Sequence, residues 1–383
     1  MHVAQFPLAG QIEIVQDAQR LAEIGPAWDE LWRRADGLVF QSHGWISAWW
    51  RTVPDQPSRQ LRIGLVWQGD RLQAVMALST HQRRGARFLQ WAANSYSDYE
   101  DVLAASDCPA EAIHELWQTI TRLGGFDIAL INRLQPEAVM WRLQGLNGAT
   151  KLRLNHRSEV SHRVTGSFGS GQGWFDSQSK KARQNYRRGY KTMGEIGPTG
   201  FRLLSADELR GPVLERLSML KRKWLVARGH TSSLFDEDSQ TLSALTDVLA
   251  QLGVLRIFVL ELDGVVVAVS INFVQRNSMM AFVTTYDPQY ERASPGMLLI
   301  NDYIMWSFDQ SLAIVDFLCG AEAFKLRFAT QTVRLATLVG AGSLRGRAGL
   351  AMDQAKHQYS GWRARRTAPA AVSPSDDSEE QTP

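Results

Sequence analysis

The stretch Tyr286-Asp287-Pro288-Gln289-Tyr290-Glu291-Arg292-Ala293-Ser294-Pro295-Gly296-Met297 is the part of the chain best suited to hold a ligand. An apolar run that reads as a strand leads into it, and a helix starts at the glycine. The amides of a helix's first turn have no intrahelical acceptor, and the macrodipole favours an anion there. Arg292 adds positive charge and Gly296 allows close approach to the backbone, so a pyrophosphate suits the place. The same residues also fit an ordinary strand-to-helix connection with Pro295 near the helix start. A second segment, Asn94-Ser95-Tyr96-Ser97-Asp98-Tyr99-Glu100-Asp101, is acidic and aromatic. It would repel phosphate but could receive an amine, or hold a carboxylate as general base; the alternative is a solvated turn. A third, Asp316-Phe317-Leu318-Cys319-Gly320, closes an apolar run. Ligands gather outside the carboxyl ends of strands in α/β sheets, so Asp316 either faces that crevice or is a buried carboxylate paired with Lys325 or Arg327.

Between these segments runs Ser177–Lys191, with Lys180, Lys181, Arg183, Arg187, Arg188 and Lys191 around Tyr186 and Tyr190. Ser177 or Ser179 could cap it as a helix. It reads as a solvated face, as a contact to ligand or lipid phosphates, or as a nucleic-acid contact. No nucleic-acid module signature accompanies it.

Other chemistries lack their motifs. There is no GxxxxGK[ST] phosphate loop, no HExxH zinc helix and no GxSxG nucleophile elbow. The 8 histidines show no ligand spacing, so no metal site is expected. The 2 cysteines, Cys108 and Cys319, are too few for a disulfide framework and suit a reducing cytoplasm. What remains is chemistry that needs positioning and proton transfer.

The elements that must hold these residues occur twice. Leu61–Val66 matches Leu255–Leu260 at an offset of 194 residues, and each run meets a turn and a second apolar run, Leu72–Leu78 and Val265–Phe273. Both read as β-hairpins. Two amphipathic segments precede each hairpin: Leu21–Trp32 and Trp45–Trp50 in one copy, Val213–Trp224 and Leu242–Leu252 in the other. The Trp45–Trp50 stretch suits core packing or an apolar acceptor groove. Strand Arg87–Trp91, helix Pro109–Arg122, strand Phe126–Ile131 and helix Pro136–Gln144 follow the first hairpin. Strand Met279–Tyr286, helix Gly296–Gln310, strand Ala313–Leu318 and a helix near Phe324–Thr337 follow the second. The order ααβββαβα thus recurs. Gly166–Gly173 reads as a flexible connector.

The chain is 383 residues long, 44% apolar and 21% charged, which suits two medium cores. The expected division is 1–165, a linker with the basic helix over 166–195, a second unit over 196–366 carrying the ligand site, and a disordered acidic tail over 367–383. The net charge is +3, and without the tail acids the body is more basic still, which suits an anionic ligand. No signal peptide or membrane-spanning run is apparent. A cytoplasmic location follows, with peripheral contact at the inner membrane left open.

At these residues the chain resembles the GNAT acyltransferase superfamily, and more closely its double-GNAT branch, which includes the FemAB-like proteins and the BioF-like or CelD/BcsL group. The resemblance covers roughly Phe40 to Arg334. It rests on Phe40–Trp45, Ser95–Tyr99, Ser179–Arg183, Tyr286–Pro288, Ser294–Gly296, and Asp316–Gly320 with Lys325. It implies an α/β fold with mixed sheets: two tandem GNAT-like domains joined by the basic linker helix. It further implies acyl-CoA as co-substrate with no bound cofactor. By resemblance Thr284, Thr285 and Tyr286 contact pantetheine, while Arg292, Ser294 and Gly296, with Lys180 and Arg183, hold the phosphates. Asp98 or Asp316 would be the base, and Tyr286 would protonate the leaving thiolate. The family's phosphate loop, Q/R-x-x-G-x-G/A, is one residue shorter than Arg292–Gly296, and Met297-Leu298 stands where a second small residue belongs. The implied reaction is N-acyl transfer to an amino sugar or a long-chain amine such as a sphingoid base, in envelope polysaccharide or lipid synthesis, with no nucleic-acid partner. The alternatives are a FemAB-like transferase using aminoacyl-tRNA and a non-catalytic accessory protein of cellulose or exopolysaccharide synthesis.

Overall fold

The computed structural model describes residues 10–205, 208 and 211–367, so the acidic tail expected over 367–383 lies outside the described residues beyond Thr367. The first half runs β1 (Gln11–Val15), α1 (Ala18–Glu23), α2 (Gly25–Arg34), α3 (His43–Thr52), β2 (Arg59–Gln68), β3 (Arg71–Arg83), β4 (Ala86–Trp91), a short β5 (Leu103–Ala104), α4 (Ala110–Arg122), β6 (Ile128–Leu134), a short β7 (Arg153–Leu154) and β8 (Glu159–Thr165). Then come α5 (Gly171–Ser177), α6 (Lys180–Gly194), β9 (Thr199–Leu203), α7 (Pro212–Ala227), α8 (Thr241–Gln251), β10 (Leu255–Leu262), β11 (Val265–Gln275), β12 (Ser278–Tyr286), α9 (Pro295–Asp309), β13 (Ile314–Cys319), β14 (Gln331–Ala341) and α10 (Leu344–Thr367).

Both expected hairpins form, β2–β3 and β10–β11, and each carries a β-bulge: between Val66 and Trp67 in one, between Leu260 and Glu261 in the other. These are the same positions under the 194-residue offset. A bulge occupies a specific register site, so its recurrence confirms the duplication. A second shared irregularity sits on β6 and β13, where Arg133 (φ 59°) and Leu318 (φ 57°) are both left-handed at a register shift.

The strands form one mixed sheet in the order β1-β2-β3-β4-β6-β14-β8-β13-β12-β11-β10-β9. The order is symmetric about its centre. There β8, from the first half, pairs with β13 of the second, and β14, from the second half, pairs with β6 of the first. β8 and β14 also pair with each other, from Gln331↔Arg163 to Leu335↔Glu159. Each unit's sheet is thus completed by a strand of the other, and position 165/166 in the chain is not a boundary in the sheet.

Three expectations are corrected. The helix expected near Phe324–Thr337 is one 3-10 turn, Lys325–Arg327, followed by β14. From Gln331 to Leu335 the burial alternates at its inner positions, Val333 and Leu335, which is the strand period. The helix expected over Pro136–Gln144 is only a 3-10 segment, Val139–Leu143, whose first amides donate to the Asp101 carboxylate. The glycine-rich connector is half helix: Ser170 caps α5, and Gly171 lies so close to α9 that a Cβ would meet the Met305 carbonyl at 2.3 Å.

The tryptophans of α3 are core. Trp45, Trp49 and Trp50 are buried, and Trp45 meets the Phe282 ring of β12 edge-on with centroids 5.7 Å apart. This contact spans the two units. No described helix is long and apolar enough to cross a membrane.

The exchange of β8 and β14 makes the halves interdependent, because each would expose an unpaired edge strand alone. Segments 10–165 and 166–367 expressed separately are expected to lack a cooperative thermal transition by circular dichroism. Co-expressed, they should regain it.

Candidate active site

The site is made by a fork in the sheet. β12 and β13 run parallel but pair only where Ser278–Met280 meets Ile314–Asp316. Beyond that β12 continues to Tyr286 while β13 bends away: Asp316 Oδ1 accepts the Leu318 N–H at 2.9 Å, and Leu318 takes the left-handed conformation. The fork opens into a cavity of about 380 Å³, walled by Ala281, Phe282 and Thr284 of β12, Tyr303 of α9, Lys221 of α7, Phe317 and Cys319 of β13, and Glu322 and Lys325 just after it. From α6 side a second cavity of about 220 Å³ meets the start of α9, lined by Arg188, Arg292, Ser294, Met297 and Arg327. The turn Lys325–Arg327 contributes Lys325 to the first and Arg327 to the second.

The first unit has the same fork, since β4 and β6 pair only over Phe88–Gln90 and Ile128–Leu130. There Trp91 fills it: the indole is buried and donates to the Asn132 carbonyl at 3.2 Å. Trp91 faces Leu78 of β3 as Ala281 faces Asn272 of β11, the residue 194 positions after Leu78. A tryptophan therefore stoppers one fork where an alanine leaves the other open.

Into the open fork the first unit sends its 92–102 loop. Asp98 lines the cavity and accepts the Cys319 N–H at 3.2 Å. Burial raises its pKa to about 6, against the pull of the nearby Arg133 and Lys325 charges. That value suits a general base at neutral pH. Arg133 braces the loop, donating to the Asn94 carbonyl at 2.9 Å and to the Ser97 carbonyl, and pairing with Glu159 of β8 at 3.3 Å. Tyr96 hydroxyl lies 3.2 Å from Ser233 Oγ, tying the loop to the segment before α8.

Asp316 does not line the cavity: of its two expected roles it takes that of the buried carboxylate, not of the base, and its partners are not Lys325 or Arg327. It is buried and fully engaged. Arg163 Nε of β8 pairs with it at 2.8 Å, and the Tyr99 hydroxyl donates to it at 2.7 Å, with Ser161 Oγ 2.7 Å from the same phenol. Lys325 instead pairs with Glu322 at 2.8 Å and donates to the Cys319 carbonyl at 2.8 Å.

The other expected residues divide. Thr284 lines the fork cavity, with its hydroxyl 2.7 Å from Ser270 Oγ. Thr285 is buried and does not line it. Tyr286 also lies outside: its hydroxyl donates to Glu291 at 3.2 Å and receives Arg228 at 3.4 Å. Arg292 and Ser294 line the second cavity. Gly296 is required by packing rather than by ligand approach, since a Cβ would stand 2.8 Å from Tyr286 Cδ1. Pro295 has no N–H, and Met297 and Leu298 both donate to the Ser294 carbonyl. The first turn of α9 therefore offers fewer free amides than an open helix start would.

On α6, Lys180 is exposed, and Arg183 turns back to donate to the Gln178 carbonyl at 3.0 Å and to the Asp176 carbonyl, and neither lines a cavity described above. Two tyrosines anchor the helix: Tyr186 and Tyr190 hydroxyls each donate to buried Asp302 of α9 at 2.5 Å. Its cations stay outside, and Arg188 reaches the second cavity.

Sequence reasoning missed Tyr303, Lys221 and Arg133 as site residues. Tyr303 is buried at the cavity wall beside Thr284, and burial holds its phenol well above the usual range. It therefore keeps its proton at neutral pH. Cys319 also lines the cavity, but burial pushes its thiol up to about 12, so it is no thiolate nucleophile.

Asp98→Asn should lower turnover by about 10²- to 10⁴-fold and leave the fold intact. In the unaltered protein kcat/KM should fall as pH drops through about 6, where the carboxylate takes up its proton. Steady-state rates over pH 5–8 on both proteins, roughly spanning the carboxyl's titration, check this, and the acid limb should vanish in the variant.

Comparison with known proteins agrees with this architecture. Residues 180–326 match the family described as acetyltransferase (GNAT) domain. No curated protein matches the sequence. Among solved structures, the chain is similar to FemX, with a TM-score of 0.53 and 9% identity over 85% of this chain and 96% of that one. It is also similar to the C-terminal domain of a protein described as a lysylphosphatidylglycerol synthetase from Agrobacterium fabrum (0.53, 11%, 88% and 96%). L-PGS from Bacillus licheniformis aligns in the same way (0.51, 11%, 85% and 94%). At these identities the likeness is one of fold. Residues 180–326 thus match a GNAT acetyltransferase domain, and they lie within a duplicated fold similar to that of FemX.

Proposed function

We propose that the chain transfers an acyl group from acyl-CoA to an amine bound in the fork cavity. The observation that carries this reading is Asp98, brought by the first unit into the one fork that Ala281 leaves open. The amine nitrogen attacks the thioester carbon, and Asp98 takes the proton that nitrogen loses. Beyond Met280 the outer edge of β12 has no strand beside it, so its amides are the candidate donors to the oxyanion. As the C–S bond breaks, Tyr303 gives its proton to the thiolate, a role that its position at the wall suits better than that of Tyr286. Arg188, Arg292 and Arg327 supply charge for the phosphates at the second cavity. Amino sugars and long-chain amines of envelope polysaccharide or lipid synthesis are the acceptor classes in view.

The exposed cations of α6, Lys180, Lys181, Arg187, Arg188 and Lys191, also suit a polyanionic donor. They favour a FemAB-like aminoacyl-tRNA donor as the second reading.

Calorimetry separates the two. Acetyl-CoA or palmitoyl-CoA should bind saturably. Ala281→Trp, which copies the stopper of the first unit, should abolish binding, and Arg292→Ala should weaken it by roughly tenfold or more. Absence of binding by either thioester to the unaltered protein removes acyl-CoA as donor and leaves the aminoacyl-tRNA reading or an accessory role.

A further inference from the structure

The fork cavity holds several charges, and all but one are matched within the protein. Arg133 pairs with Glu159 at 3.3 Å, Lys325 pairs with Glu322 at 2.8 Å, and Asp98 receives the Cys319 amide. The exception is Lys221, on the face of α7 that lies over β12. No carboxylate stands within ion-pair distance of it among the described residues; the nearest influence is the Glu322 charge, which is itself paired with Lys325. Its ammonium donates to the Thr284 carbonyl over a long 3.4 Å and rests against two rings, 4.5 Å from the Trp224 centroid and 5.9 Å from that of Phe235.

An ammonium has three donors and is strongly hydrated, so placing it in a partly apolar wall with one long acceptor is unfavourable unless something else meets it. Burial accordingly holds its pKa below the usual lysine range. The rings hold the side chain along the cavity wall beside Thr284. The same cavity carries Asp98, which prefers the amine end of an acceptor.

We propose that Lys221 is a specificity residue that binds an anionic group of the acceptor, so that the preferred substrate is an amine bearing a carboxylate or phosphoryl group. This rests on the acyltransferase reading above. It narrows that reading: a neutral amino sugar or an unmodified long-chain amine has nothing to offer Lys221, whereas an amino acid, an amino-sugar phosphate or a phosphorylated long-chain amine does. Asp98 and Lys221 then read the two ends of one molecule, a cationic or neutral nitrogen and an anionic oxygen group.

The test uses the full chain with acetyl-CoA and paired amines that differ only in the acid group. The pairs are glycine with glycinamide, glucosamine 6-phosphate with glucosamine, and sphinganine 1-phosphate with sphinganine, and thiol release is the readout. In at least one pair the anionic member should be favoured by roughly tenfold or more in kcat/KM, and which pair responds tells carboxylate from phosphate. Lys221→Met should erase that preference, with the larger loss on the KM of the anionic member, and Lys221→Arg should keep it. Equal or better use of the neutral amines, or an equal loss on both members in Lys221→Met, overturns the inference. A binding arm needs no turnover: inorganic phosphate and N-acetylglycine are titrated into the unaltered protein and Lys221→Met. Binding lost in the variant supports the assignment, and no binding of either probe to the unaltered protein overturns it. Acyl-CoA binding, measured separately, distinguishes this failure from that of the acyltransferase reading.

Discussion

The structure depends on the pairing of β8 with β14 at the centre of the sheet. Those two strands cross between the halves, and β8 anchors both the loop of Asp98 and the bend of β13. β8 supplies Glu159 to Arg133, which braces the loop carrying Asp98, and Arg163 to Asp316, which bends β13 and opens the fork. The Tyr99 hydroxyl donates to the same buried carboxylate and lies 2.7 Å from Ser161 Oγ of β8. Breaking one partner of such a buried ion pair leaves an uncompensated charge, typically a loss of about 3–5 kcal/mol. The cluster therefore fixes how the two units face each other as well as stabilising them.

Within that frame the two copies have separated in role through a few side chains. The forks are built alike, down to a left-handed residue on the departing strand. Trp91 fills one and Ala281 leaves the other empty, a difference of a whole indole in volume. The filled copy then contributes what the open one lacks, a carboxylate on a long loop and an arginine to hold it. The site belongs to neither copy alone.

Much of this was legible in the chain itself. The hairpins showed because alternating runs with Gly-containing turns leave a local signal, and their offset carried through to the bulges. Asp98 stood out because acidic and aromatic residues are crowded around it. The errors came where the decisive partner is distant in sequence. Asp316 could be read as a base as readily as a buried carboxylate, and its partner Arg163 stays hidden because it lies on a strand that the first half lends across the sheet. The helix expected near Phe324–Thr337 follows from carrying over the order of the first copy, itself wrong at Pro136–Gln144, whereas Val333 and Leu335 keep a period of two. Lys221, Tyr303 and Arg133 belong to no motif. Only the fork makes them neighbours.

The exchanged strands carry a consequence for the origin of the chain. If the connection between the halves were cut, what remained would be two like subunits, each reaching an arm into the other's sheet, the geometry of a domain-swapped pair. In a symmetric pair every substitution appears twice, so a tryptophan that blocks one fork blocks both. Joining the subunits in one polypeptide lifts that constraint. One fork can be sacrificed as scaffold, and its loop becomes free to serve chemistry next door.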